Sequence, residues 1–144
     1  MEELIGKTIK LIHLDGDKQH YLKFTTNNNE DIIYYAEGDC CSESWFADIC
    51  GVDSLIGHEV LSVTENGLEG YNVNDGRCRE DKDEAYGYDI KTPAGVCCIV
   101  FRNSSNGYYG GRLTLITDRH LSNNYWQGVL SKVQWQEIKE DYSA

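Results

Sequence analysis

At 144 residues, with 40% hydrophobic and 26% charged side chains, the chain has the size and balance of one globular domain spanning 1–144. Its net charge of −11 excludes a general nucleic-acid-coating role, which needs lysines and arginines to displace counterions. No apolar run approaches the roughly 18 to 20 residues that span a bilayer. The acidic start Met1-Glu2-Glu3 lacks the pattern of a signal peptide, so a cytoplasmic protein with no membrane partner is expected.

In chain order, Lys7 to Leu14 alternates as a strand, with Thr8, Lys10 and Ile12 on one face and Ile9, Leu11 and His13 on the other. Asp15-Gly16-Asp17 marks a turn. Gln19–Thr26 and Asp31–Glu37 supply two more strands around Asn27-Asn28-Asn29, which predicts an antiparallel meander. Gly38-Asp39 then ends the sheet. Ser42 reads as an N-cap and Glu43 favours a helix start; Trp45 with Ile49 and Phe46 with Cys50 form i,i+4 pairs. With Gly51 as its stop, a short helix over about 43–50 is expected, too short to stand without packing.

Leu55-Ile56-Gly57 echoes Leu4-Ile5-Gly6 at an offset of 51 residues; the echo is compatible with a weak internal duplication or with two similar turn-to-strand entries, and chance similarity is the favoured reading. Residues 65–89 hold eight carboxylates, and 74–84 reads as an exposed acidic loop. Its register does not fit a calcium loop. Tyr86–Thr92 alternates as a strand, and the nearly unbroken apolar run Val96–Phe101 predicts a central strand. Arg112–Thr117 is expected to fold back on that strand as a hairpin across a polar loop. Near the C-terminus a final strand falls around Lys132–Ile138. The fold class is α+β, dominated by a twisted antiparallel sheet with the short helix packed on it.

The six cysteines include the adjacent pairs Cys40-Cys41 and Cys97-Cys98, and neither pair has zinc-knuckle spacing. They read as reduced core thiols, with no metal site and no cofactor. Phosphate-loop, nucleophile-elbow, zincin and dinucleotide fingerprints are all missing, so no catalytic residue is assigned. Between Ala94 and Gln136 the charge reverses: Arg102, Arg112, Arg119 and Lys132 stand against the lone carboxylate Asp118. Arg102, Asn103, Asn106, Tyr108, Tyr109 and Arg112 therefore form the candidate ligand site. Arginine forks match phosphate or carboxylate, tyrosines offer stacking faces, and Gly110-Gly111 permits close backbone approach.

The motif Gly38-Asp39-Cys40-Cys41-Ser42-Glu43-Ser44-Trp45, with Leu55-Ile56-Gly57 and Tyr108-Tyr109-Gly110-Gly111, resembles an uncharacterised family of small bacteriophage and prophage proteins. That resemblance implies expression in an infected bacterium and a non-enzymatic role against host defence. The expected function is sequestration of a small anionic ligand, such as a nucleotide immune signal. The alternative is an acidic inhibitor that blocks a basic host protein by mimicking nucleic acid. A thiol or zinc enzyme ranks last. Cys40, Cys41, Ser42 and Trp45 are expected to hold the fold, and a homo-oligomer is compatible with a tyrosine-rich face or open sheet edge.

Overall fold

The computed structural model describes residues 1–38, 43–67, 82–105 and 111–143. A 3-10 turn (Glu2–Leu4) precedes β1 (Ile9–Asp15), β2 (Tyr21–Thr26), β3 (Asp31–Gly38) and β4 (Glu43–Cys50). The one-turn helix α1 (Val52–Leu55) leads to β5 (Ser62–Gly67), β6 (Lys82–Thr92), β7 (Gly95–Ser105) and β8 (Gly111–Leu115). Helices α2 (Asp118–Leu121) and α3 (Asn124–Ser131) and strands β9 (Trp135–Glu137) and β10 (Tyr142–Ser143) follow.

The strands form two five-stranded antiparallel sheets, ordered β8-β3-β2-β1-β9 and β10-β4-β7-β6-β5. One apolar core lies between them, with Ile12, Leu22 and Phe24 from the first sheet against Phe46, Ile99 and Phe101 from the second. The expected α+β class and the β1–β2–β3 meander both hold. The C-terminal strands tie the sheets together. β9 extends the first sheet at β1 and β10 extends the second at β4. Between them, buried Ile138 donates its N–H to the Ile12 carbonyl at 2.8 Å, and Asp141 Oδ1 accepts the N–H groups of Gly51 and Val52.

The helix expected over 43–50 is instead strand β4, buried from Ser44 to Ile49 and paired along β7. A bulge explains the misleading pattern. Phe46 opposes Phe101 and Asp48 opposes Val100, so Ala47 is an extra residue in the ladder. The bulge sets Phe46 and Ile49 on one face although they are three residues apart, a spacing that imitates a helical period. Two turns of helix also gain too little from hydrogen bonding to resist this burial. β1 carries a similar bulge at Lys10, which puts Ile9, Ile12 and Leu14 together in the core rather than the strictly alternating set.

Two further expectations change. β7 continues through Ser105 and is paired along its length with β4 and β6, leaving it no free edge for β8. β8 therefore joins β3 in the other sheet, and no Arg102–Arg112 hairpin forms. Lys82–Glu84 belong to β6 rather than to a loop; residues 74–81 lie outside the described residues. The central placement of Val96–Phe101 agrees with the sheet order.

The Leu-Ile-Gly echo has a structural counterpart. Ile5 and Ile56 take nearly the same extended angles, and Gly6 and Gly57 have φ of 84° and 83°. Lys7 N–H donates to Leu4 O and His58 N–H to Leu55 O, so both are type II turns whose third residue needs left-handed backbone. The two turns interlock: Gly6 N–H donates to Val60 O and Gly57 N–H to Ile9 O.

Candidate functional site

Alternation along β2, β3 and β8 places Tyr21, Tyr35, Glu37, Arg112 and Thr114 on the outer face of the first sheet, away from the core. Tyr21 and Tyr35, directly opposed across β2 and β3, stack at 4.9 Å with planes 15° apart. Burial pushes both hydroxyls above the ordinary tyrosine value. Over this pair sits Trp126 of α3, its ring edge-on to Tyr35 at 5.7 Å. Tyr125 and His120 flank Trp126 at 5.8 and 5.1 Å, also edge-on, and Tyr125 is 71% exposed.

Local sequence sets this arrangement. Ile116 N–H still donates to the Ile33 carbonyl of β3, and Thr117 then caps α2; His120 Nδ1 accepts the Thr117 N–H at 3.0 Å. That acceptor role leaves the ring hydrogen on Nε2. Asn123 Oδ1 caps α3 by accepting the N–H groups of Tyr125 and Trp126. Between the two helices lies a concavity of about 490 Å³ lined by Thr117, Arg119, His120, Asn123 and Trp126. Beside it, Glu37 accepts a two-pronged hydrogen bond from Arg112 at 3.1 and 3.0 Å and a third from the Thr114 hydroxyl at 2.7 Å. The Arg112 guanidinium holds the Glu37 carboxyl below its ordinary value. An aromatic ring, an imidazole and the Arg119 guanidinium thus converge where the lining contains no carboxylate. Such a set of groups suits a planar, anionic ligand.

Of the candidate-site residues singled out from the sequence, none among the described residues lines this concavity; Arg112 lies on the same outer sheet face, paired with Glu37. Arg102 and Asn103 do not. They lie on opposite faces of β7 in the second sheet, where Arg102 stacks over Trp45 and Asn103 Oδ1 accepts the Ser44 hydroxyl at 2.8 Å. Both are buried. Asn106, Tyr108 and Tyr109 lie outside the described residues, as do Cys40, Cys41 and Ser42; Trp45 is fully buried. Tyr21, Tyr35, His120 and Trp126 carry no signal in the sequence because they come from three separate stretches. Arg119 within the basic 94–136 segment was the available signal.

A second concavity, of about 410 Å³, opens where the β8 and β5 edges approach, lined in part by Glu2, Glu3, Glu65, Tyr34 and Tyr88. The Tyr34 hydroxyl donates to Glu3 Oε1 at 2.8 Å. Burial, with Glu65 beside it, pushes the Tyr88 hydroxyl up to about 12. Among the described residues no His, Cys, Asp and Glu group is arranged to hold a metal ion, and no helix is long and apolar enough to cross a membrane.

The fold and these surfaces define a two-sheet α+β protein with a candidate ligand-binding face. The chain belongs to a family described as a domain of unknown function (DUF7448), whose model matches residues 2–115. No curated protein matches it, and neither does any solved structure. The match ends with β8, so α2, α3 and the Trp126 concavity lie beyond the matched residues, while Tyr21, Tyr35, Glu37 and Arg112 lie within them.

Proposed function

We propose that the protein is a non-enzymatic binding protein that sequesters a small anionic ligand of the nucleotide class on the outer face of its first sheet. The supporting observation is the concavity where Trp126, Arg119 and His120 meet. A base would stack against the exposed aromatic edge formed by Tyr125 and Trp126. Its phosphate would take Arg119 and the His120 Nε2–H as donors. Glu37, held by Arg112 and Thr114, is kept from repelling the anion. Arg102 and Asn103 drop out of the reading because they are buried in the other sheet. The resemblance to small phage proteins gives this sequestration its biological sense, removal of a nucleotide signal used in host defence.

Titration calorimetry against a panel of mono-, di- and cyclic nucleotides tests the reading. Saturable binding is expected, weakened at least tenfold by Trp126→Ala and by Arg119→Ala, with Arg102→Lys unaffected. A panel without binding, or binding indifferent to Trp126→Ala, sinks it.

The acidic concavity supports a second reading, in which Glu2, Glu3 and Glu65 engage a basic host protein in place of nucleic acid. Salt-sensitive capture of a purified nucleic-acid-binding protein, lost in a Glu3→Gln/Glu65→Gln variant, is its expected result. Capture that persists unchanged in that variant rejects it.

A further inference from the structure

Cys50 and Cys98 are directly opposed residues of the antiparallel β4–β7 pair, so their side chains leave the sheet on the same face. Cys50 is exposed and Cys98 half-buried, whereas Cys97 points to the opposite face and into the core. Backbone polarity identifies the kind of pair. Gly51 directs its N–H outward to Asp141 Oδ1. The alternation of the ladder therefore turns the Cys50 N–H toward β7 and makes Cys50–Cys98 a hydrogen-bonded pair. Such partners have Cα atoms about 5.5 Å apart, inside the range that a disulfide bridges. In hydrogen-bonded pairs the Cβ atoms stand toward the wide end of about 4.5 to 5.5 Å, beyond the roughly 3.5 to 4.5 Å a relaxed disulfide prefers. A bond closed there is strained, and strained disulfides are the readily reduced ones.

We propose that Cys50 and Cys98 are a reversible oxidation site, joined by a cross-strand disulfide when hydrogen peroxide is present. Cys50 offers the accessible sulfur. As its thiolate, it attacks one peroxide oxygen; the O–O bond breaks, leaving Cys50 as a sulfenic acid and releasing water after proton uptake. Cys98 Sγ then attacks Cys50 Sγ, the S–O bond breaks, and a second water leaves. Two thiols lose two electrons in total and one peroxide is reduced to two waters. Asp89, opposite Cys98 on β6, is hydrogen-bonded to the Cys98 thiol and holds it protonated until the attack, when that proton leaves with the departing hydroxyl as water. Asn66 Nδ2 holds the same carboxylate at 2.8 Å. Burial raises both thiols above the ordinary cysteine value, Cys98 to about 11, which keeps the thiolate scarce and makes the step slow. This site is independent of the Trp126 concavity and stands whether or not a nucleotide binds there.

The test treats the reduced full-length chain with hydrogen peroxide, blocks remaining thiols and maps peptides by mass without reductant. The expected product is a Cys50–Cys98-linked peptide pair, two hydrogens lighter, restored to two thiols by dithiothreitol. In Cys98→Ser the sulfenic acid on Cys50 should become trappable by dimedone. Near-ultraviolet circular dichroism of each variant confirms that it is folded. Cys50 linked to any other cysteine, to a second chain, or carried to sulfinic acid with Cys98 still a thiol would overturn the proposal.

Discussion

The Arg102 guanidinium carbon lies 5.1 Å from the ring centroid of Trp45, its directly opposed neighbour across β4 and β7. Arg102 is 2% exposed and Trp45 fully buried, so a cation and an aromatic face share one desolvated layer on the far side of the second sheet from the core. Desolvation strengthens a cation–π contact, and the planar guanidinium stacks where a lysine ammonium would act as a point charge. Trp45→Ala is expected to cost about 3–5 kcal/mol through the lost ring. Arg102→Lys should cost about 0.5–2 kcal/mol through the lost stack. Urea unfolding measures both. A folded Arg102→Lys protein of unchanged stability that fails to bind a ligand would return this arginine to the binding site.

Gly51 and Gly6 share a left-handed backbone but not their surroundings. A Cβ on Gly51, at φ 85°, would stand 2.3 Å from the Val96 carbonyl oxygen, whereas one on Gly6 meets nothing within 4 Å. Left-handed backbone alone costs a non-glycine residue about 1–3 kcal/mol. Gly6→Ala and Gly57→Ala should therefore lose similar, moderate stability, and Gly51→Ala distinctly more. Denaturation midpoints rank the three, and a Gly51→Ala no worse than Gly6→Ala would contradict the close approach of β7.

The Glu37–Arg112 pair should leave a pH signature. Glu37 titrates in the folded protein below its ordinary 4.5, chiefly because Arg112 hydrogen-bonds its carboxylate. A depressed carboxyl stabilises the fold above the unfolded value, and that contribution disappears as pH falls through the folded one. Arg112 is 69% exposed, so solvent screening limits the pair to at most about 1 kcal/mol. Arg112→Ala should be slightly less stable than the parent at pH 7, with the gap closing below about pH 4. A gap that is constant down to pH 3 would show that the pair contributes nothing through its charge.

The strand-rich α+β character, the β1–β2–β3 meander and the central Val96–Phe101 strand were legible because alternation and polar turns act locally. The candidate site was legible only in part. Arg112 was found from the basic bias of its segment. Tyr35 and Trp126 are 91 residues apart in the chain, and no local spacing announces their edge-on contact. β4 misled for the opposite reason, since a bulge at Ala47 gave a strand the spacing of a helix.

By itself the sequence determined the element types wherever alternation was unbroken, and also the acid–base asymmetry, because each depends on side chains a few residues apart. Only the tertiary structure decided that Arg102 and Arg112 belong to different sheets, that one is buried and the other paired with Glu37, and that Cys50 faces Cys98. Those outcomes rest on which strand edges were free to pair, and β7, paired on both sides, left β3 as the edge that β8 joins.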